Sequence, residues 1–416
     1  MPDTVPDSLA TQGEVTRKIF WDAFFARAGS GAPAVFRSDR VAHDFSIADG
    51  LQLADAIALA GDMAVNVDGK LCVNPRLPGG IAPSADLDEY IRQLARMNDG
   101  AAVTFTRDYC LRYSGKLSRK CGVFFSEYVQ RNGIGLPGFN AVFIAGRYKE
   151  TWIGLHNDFC DTFLIPLRGR KKMYLWPPDY FSAPEMPDVV GMNGVCLGKT
   201  NVTAFLHDAT LLEVEEGDLL FIPAKWWHYN LLDTEETTVT LSFGSFANET
   251  VAQSLSSAVQ TVVNELSNEV NERFLPPPVI GIDTLEDVPL PAHWQFFLTR
   301  LRCDLAARIL RISSSRGIIA TAFDLPEGIE VGSTTRIIPI PHLPVYIVTL
   351  VAEYGVVFAN GQVRQVRWSQ TAKALVERIA SGKAFALDDI CPVCVQKDGL
   401  AELVVWLAAV GAIDLA

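Results

Sequence analysis

Between residues 101 and 246 the chain breaks into short runs rich in Val, Thr, Phe and Ile: Ala101–Thr106, Phe139–Ala145, Thr151–His156, Thr162–Leu167, Lys171–Trp176, Leu211–Val214, Leu219–Ile222, Trp227–Leu232 and Thr237–Phe246. Turn signals separate them, among them Arg168-Gly169-Arg170, Pro177-Pro178 and Gly217-Asp218. Many short strands at this spacing predict an antiparallel barrel or jelly roll. Residues 177–210 read as an insertion that contains a loop.

The flanks read differently. Residues 15–28 have helical spacing, with Ile19, Phe20, Ala23 and Phe24 on one side and Gly29 as a stop. Pro33–Arg37 is a short apolar strand, and Leu51–Ala60 is helical. Asp86 and Glu89 predict a capping box for a helix through Met97, with Leu87, Tyr90, Ile91 and Leu94 as its apolar positions. After Asn248, residues 250–274 and 293–313 form two helical stretches around the breaker Pro276-Pro277-Pro278. Both are more apolar than a surface helix needs, so they are expected to pack on the barrel or on a second subunit, making a homodimer through residues 250–313. Val356–Ala359, Asn360-Gly361 and Gln362–Arg367 spell a two-residue β-hairpin. Helices follow near 371–381, 387–395 and 399–410, and the group resembles a winged-helix module. The fold class expected is mainly β with α. Its divisions are a flexible N-terminus (1–14), a catalytic barrel domain (15–248), a helical region (249–342) and a winged-helix-like end (343–416).

Composition narrows the function. The 416 residues suggest two or three domains, and a chain 49% apolar and 20% charged is globular rather than disordered. The net charge of −12 makes a poor phosphate-backbone binder. The C-terminal helices also carry little positive charge, so no nucleic-acid partner is expected. An acidic chain suits a small-molecule enzyme or a basic partner. Eight scattered cysteines are no disulfide framework, and the single C-x-x-C pair, Cys391 and Cys394, is a weak zinc or redox signal. No secretory signal is visible at Met1–Gly13. The longest apolar stretch, Val345–Phe358, is broken by Glu353 and Gly355. A cytoplasmic protein without a membrane partner is therefore expected.

Six histidines are few enough to weigh singly. His156 lies in Gly154-Leu155-His156-Asn157-Asp158, and strand alternation puts His156 and Asp158 on one face. His228 closes Gly217-Asp218-Leu219-Leu220-Phe221-Ile222-Pro223-Ala224-Lys225-Trp226-Trp227-His228, where a turn, a buried strand and a proline lead into the next strand. Two histidines and a carboxylate make the facial triad of non-haem iron(II) oxygenases, which leaves positions open for a co-substrate and oxygen. Ordinary half-buried histidines would give the same short motifs. Lys171 is the discriminating residue. It returns to the same face two strands after His156, and a lysine inside a barrel is costly unless an anion pairs with it.

Residues 154–178 (GLHNDFCDTFLIPLRGRKKMYLWPP) resemble the first metal-binding segment of JmjC/cupin-like 2-oxoglutarate oxygenases, and residues 217–228 (GDLLFIPAKWWH) resemble the second. Phe20-Trp21 and Pro33–Arg37 are similar to that family's N-terminal region. The resemblance covers about residues 15–250 and is closest to the asparaginyl-hydroxylase-like branch. The helical pair with its winged-helix-like end is similar to ribosomal oxygenases. The resemblance implies a double-stranded β-helix core and the cofactors Fe(II), 2-oxoglutarate and dioxygen (O2). His156, Asp158 and His228 match the iron ligands, and Lys171 matches the lysine that pairs with the distal carboxylate of 2-oxoglutarate. Thr162 and Ser242 fall near co-substrate contacts. Ile153 stands where the family commonly has Thr, three residues before the first His, with Thr151 as a substitute. The reaction implied is decarboxylation of the oxo acid to succinate coupled to hydroxylation, since halogenases of this class lack the carboxylate that Asp158 supplies. The substrate expected is an amino-acid side chain in a peptide or protein, or an amino-acid-derived metabolite. The rivals are a natural-product oxygenase, a non-catalytic cupin-like binding module and a transcriptional regulator.

Other residues weigh less. Asp161 has the wrong parity to be a ligand. Cys160 reads as a buried thiol, Trp226 and Trp227 as barrel packing, and Arg168, Arg170 and Lys172 as solvated charges. Asn140 and Tyr148 are candidates for the mouth of the barrel, and His207 for the surface or the substrate side.

Overall fold

The computed structural model describes residues 12–29, 31–41, 43–135, 137–150, 153–181, 189–191, 194–198, 202–232, 236–246, 251–265, 292–318, 331–340, 342–351, 354–390 and 399–416.

Two antiparallel sheets form the first part of the chain. Its strands are β1 (Ala34–Phe36), β2 (Ala64–Val67), β3 (Lys70–Cys72), β4 (Val103–Arg107), β5 (Phe139–Arg147), β6 (Leu155–Asp158), β7 (Asp161–Arg168), β8 (Lys171–Trp176), β9 (Val189–Gly191), β10 (Gly194–Gly198), β11 (Thr210–Val214), β12 (Leu219–Ile222), β13 (Trp227–Leu231) and β14 (Thr238–Ser245). One sheet has the order β1-β12-β7-β14-β5-β4-β2-β3 and the other β11-β8-β13-β6-β10-β9. Consecutive strands β6, β7 and β8 alternate between the sheets, which is the wrapping of a jelly roll.

Alternation along each strand assigns the faces. Leu164, Leu220 and Ile222 from the first sheet cluster with Met173, Leu175 and Val214 from the second, so these residues line the barrel interior. The opposite residues of the first sheet, Phe163, Ile165, Leu219, Phe221, Leu241 and Phe243, join the main core beneath the helices. Those helices are α1 (Gln12–Ala28), α2 (Ile47–Leu59), α3 (Leu87–Met97) and α4 (Gly115–Asn132). In α1 the buried stripe is Phe20, Trp21 and Phe24, while Ile19 is 64% exposed. The expected inward Ile19 and Ala23 are thus corrected: both are exposed, outside the stripe. Trp21 takes the inner position, and its indole N–H donates to the Phe124 carbonyl at 2.9 Å. Asp86 caps α3 by accepting from the Glu89 N–H at 2.9 Å, and Leu87, Tyr90, Ile91 and Leu94 are buried as their spacing predicts.

Beyond the barrel, α5 (Val251–Glu265) and α6 (Ala292–Ser314) pack together, and Arg308 of α6 donates to Ser257 and Thr261 of α5. Residues 266–291, including the triple proline, lie outside the described residues. A second apolar cluster gathers Ile337, Val357, Leu375, Leu403 and Leu407. It is built from β15 (Arg336–Pro339), β16 (Val345–Val351), β17 (Tyr354–Ala359), β18 (Gln362–Arg367), α7 (Gln370–Ala380), β19 (Phe385–Ala386), α8 (Leu400–Ala409) and β20 (Ile413–Leu415). Asn360 and Gly361 both have positive φ, +43° and +76°, as a primed two-residue hairpin turn requires. The described residues of the apolar stretch Val345–Phe358 belong to the β16–β17 pair, and no helix among the described residues is long and apolar enough to cross a membrane. Of the expected helix 387–395, the described part is a single 3₁₀ turn, Leu387–Asp389. Cys391 and Cys394 lie outside the described residues. Bidentate contact of Arg119 (α4) with Asp414 (β20), at 2.8 and 3.2 Å, ties this second unit to the first.

Candidate metal centre

Strand β6 presents His156 and Asp158 to the barrel interior and buries Leu155 and Asn157 on the other side. The segment between β12 and β13 delivers His228. Pro223 ends β12, and Lys225 adopts a left-handed conformation, φ +69°. Two hydrogen bonds pin this turn: the Lys225 N–H donates to the Asp158 carbonyl at 2.7 Å, and the Ala224 N–H to the Asp161 carboxylate at 2.9 Å. The register then pairs His228 directly with His156.

The three side chains converge. Their ligand atoms all lie within 4.8 Å of one another. The imidazole centroids are 4.0 Å apart, and His228 Nε2 is 3.7 Å from Asp158 Oδ2. Nδ1 of His156 lies 2.9 Å from the Gly154 carbonyl, and Nδ1 of His228 lies 3.1 Å from the Trp226 carbonyl. A carbonyl only accepts, so both rings donate from Nδ1 and keep the lone pair on Nε2. Thr162 Oγ1 donates to Asp158 Oδ2 at 3.2 Å and orients the carboxylate. Burial, reinforced by His156, pushes the His228 pKa down to about 4 against the opposing pull of Asp158 and the Trp226 carbonyl. His228 therefore stays neutral, the form in which an imidazole can bind a metal.

Lys171 opens β8 on the interior face and is 2% exposed. Its ammonium donates to the Tyr148 hydroxyl at 3.1 Å and sits 5.8 Å from that ring's centre. Tyr148 is thus a buried partner of Lys171 rather than a residue of the mouth, a correction to the sequence expectation. Thr162 is buried and Ser242 half-buried, and β14 turns Thr240, Ser242 and Gly244 toward the same interior. Thr151 lies outside the described residues. Asn230, two residues after His228, faces inward and is 4% exposed. Among the described residues nothing bonds to Asn230 Oδ1 or Thr240 Oγ1. Sequence reading passed over Asn230 and Thr240, although counting by twos from His228 and Ser242 points to both.

The remaining candidates have structural partners. Asp161 accepts from Ala224 and from the Tyr128 hydroxyl at 3.3 Å, away from the triad, and burial raises its pKa. Burial pushes the Cys160 thiol up to about 12, so it stays neutral. Asn140 Oδ1 accepts from the Tyr109 N–H at 3.0 Å, holding a left-handed residue, φ +52°, and lies buried rather than open at the mouth. Trp226 and Trp227 pack, donating to the Gly31 and Pro178 carbonyls. His207 is exposed beside Asp208. Arg168 pairs with Asp88 at 2.7 Å and Lys172 with Glu213 at 3.7 Å, so neither is merely solvated; Arg170 is exposed.

Two imidazole nitrogens and one carboxylate oxygen on one side of a site fit iron(II) with coordination positions left over. A buried cation on the barrel interior, with polar atoms on the interior strands that have no partner among the described residues, fits an anionic co-substrate. Over residues 83–243 the sequence matches the family model of the cupin-like domain. The chain carries a cupin-like domain. His156, Asp158, His228 and Lys171 all fall within the matched segment. No curated protein matches the sequence. Among solved structures the chain is similar to Escherichia coli ycfD, with 15% identity, 95% of this chain and 98% of that chain covered, and a TM-score of 0.49. A second structure of that protein, described as a ribosomal oxygenase, gives 15% identity, the same coverage and a TM-score of 0.48. A third, in complex with cobalt and 2-oxoglutarate, gives 14% identity over 95% and 98%, with a TM-score of 0.46.

Proposed function

We propose that the protein is an Fe(II)- and 2-oxoglutarate-dependent oxygenase that hydroxylates an amino-acid side chain in a peptide or protein, or an amino-acid-derived metabolite. The observation that carries this reading is the convergence of His156, Asp158 and His228 within 4.8 Å, with both imidazoles oriented by backbone carbonyls. A non-catalytic binding module has no need of a facial triad and a buried lysine together. Iron with the oxo acid and dioxygen supplies the oxidising power for attack on a C–H bond. The chain's own residues do the rest. His156 and His228 offer Nε2, Thr162 aims Asp158, and Lys171 meets the charge of the oxo acid's far carboxylate. Leu164, Met173, Leu175, Leu220 and Ile222 keep water from the interior. In this reading residues 15–248 hold the chemistry. The exposed Leu255, Phe296, Leu298 and Ile309 of α5 and α6 support a homodimer through 250–313, and residues 343–416 form a winged-helix-like unit.

The test of substrate class is succinate release from 2-oxoglutarate with short peptides against free amino acids and their derivatives. Stimulation together with the mass gain of one oxygen atom is the expected result. Iron and 2-oxoglutarate binding with no turnover on any substrate class would favour the binding module.

A further inference from the structure

We propose that Asn230 and Thr240 are co-substrate-binding residues, donating neutral hydrogen bonds to the carboxylate that Lys171 neutralises. The inference rests on the oxygenase reading and extends it to side chains that the motifs do not include.

Three observations support it. Asn230 is 4% exposed, Thr240 is fully buried and Lys171 is 2% exposed, so all three are deep in the protein. All three face the barrel interior by strand alternation: Asn230 pairs across from Met173, two residues from Lys171 on the same strand, and Thr240 lies between Leu241 and Val239, which face the main core. Finally, Asn230 Oδ1 and Thr240 Oγ1 have no hydrogen-bond partner among the described residues. A buried polar atom without a partner is costly, and two of them on the interior faces of the sheets, in the barrel that also encloses Lys171, mark a place for a polar ligand. The two ends of an amide are interchangeable by rotation, so Asn230 can turn its NH2 toward a carboxylate. Thr240 contributes its hydroxyl proton. Neither residue titrates, so their contribution to binding is independent of pH.

Such residues trade stability against binding, and the trade gives a signature that a purely structural role lacks. Asn230→Leu and Thr240→Val, with Thr240→Ser as the conservative control, would be compared with wild type in two readouts. One is 2-oxoglutarate affinity with iron(II) under argon, followed by the visible charge-transfer band and by calorimetry. The other is melting temperature without ligand. The expected result is a dissociation constant for 2-oxoglutarate raised about tenfold by Asn230→Leu and Thr240→Val. Iron(II) binding alone stays unchanged, Thr240→Ser keeps near-wild-type affinity, and the ligand-free melting temperature holds or rises. If Asn230→Leu does not fold, Thr240→Val, nearly the same shape as the original, carries the test. Unchanged 2-oxoglutarate affinity in the folded variants, with a normal band in wild type, overturns this proposal and leaves the oxygenase reading standing. No band in wild type overturns both.

Discussion

The Lys171 ammonium donates to the Tyr148 hydroxyl across 3.1 Å, inside a barrel where the lysine is 2% exposed. A phenol carries no charge, so this hydrogen bond does not neutralise the ammonium. Replacing a buried ion with an apolar side chain of similar volume is often neutral or stabilising. Lys171→Met is expected to weaken 2-oxoglutarate binding by about a hundredfold, roughly 2.7 kcal/mol, without lowering the melting temperature. Tyr148→Phe keeps the charge and should cost only severalfold. Titration of the charge-transfer band beside thermal melts checks both.

The Asp158 carboxylate is aimed by one side-chain donor, Thr162 Oγ1 at 3.2 Å. Groups that orient a ligand typically matter by 10- to 100-fold in metal affinity. Thr162→Val should weaken iron(II) or cobalt(II) binding by about tenfold, and Thr162→Ser should preserve it. Competition with a chromogenic chelator measures this directly.

Two neighbouring carboxylates should respond in opposite ways. Asp158→Ala removes the only carboxylate of the proposed triad and should abolish tight metal binding with little loss of stability. Asp161→Ala strips the Ala224 N–H and the Tyr128 hydroxyl of their acceptor, and should cost about 1–3 kcal/mol in urea unfolding. Any fall in metal affinity in that variant should be smaller, arising from a looser turn before His228.

The acid side of the stability curve should carry the mark of His228. Its folded pKa lies below the ordinary 6.5, at about 4. Between those values the unfolded chain holds a proton that the folded chain lacks, so the metal-free protein loses stability as pH falls from about 6.5 toward 4. Bound metal competes with the proton, so affinity should fall over the same acid range. His228→Gln, which does not titrate, should flatten the stability slope in denaturant titrations between those two values.

The parts of the site that depend on the strand period were legible in the sequence. A period of two fixes that His156 and Asp158 share a face and that Asp161 does not; the turn at Gly169 between β7 and β8, not the period, returns Lys171 to the first face. Helix α4 was legible but passed over: Leu117, Cys121, Phe124, Phe125 and Tyr128 recur at helical spacing and are buried. What sequence could not show depends on distant partners. In α1 the choice of Trp21 over Ile19 follows from the aromatic surface offered by Phe124, Phe125 and Phe163. Arg168 looks solvated until α3 brings Asp88 beside it. Tyr148 looks like a rim residue until the sheets close it over Lys171, since the bond spans 23 positions of the chain.

The most direct test of the account is anaerobic titration of the protein with iron(II) and 2-oxoglutarate, watched for the visible metal-to-ligand charge-transfer band. Wild type should show the band, His156→Ala and Asp158→Ala should lose it, and Lys171→Ala should shift its half-saturation to much higher 2-oxoglutarate. A folded wild-type protein that binds no iron and gives no band would contradict the account.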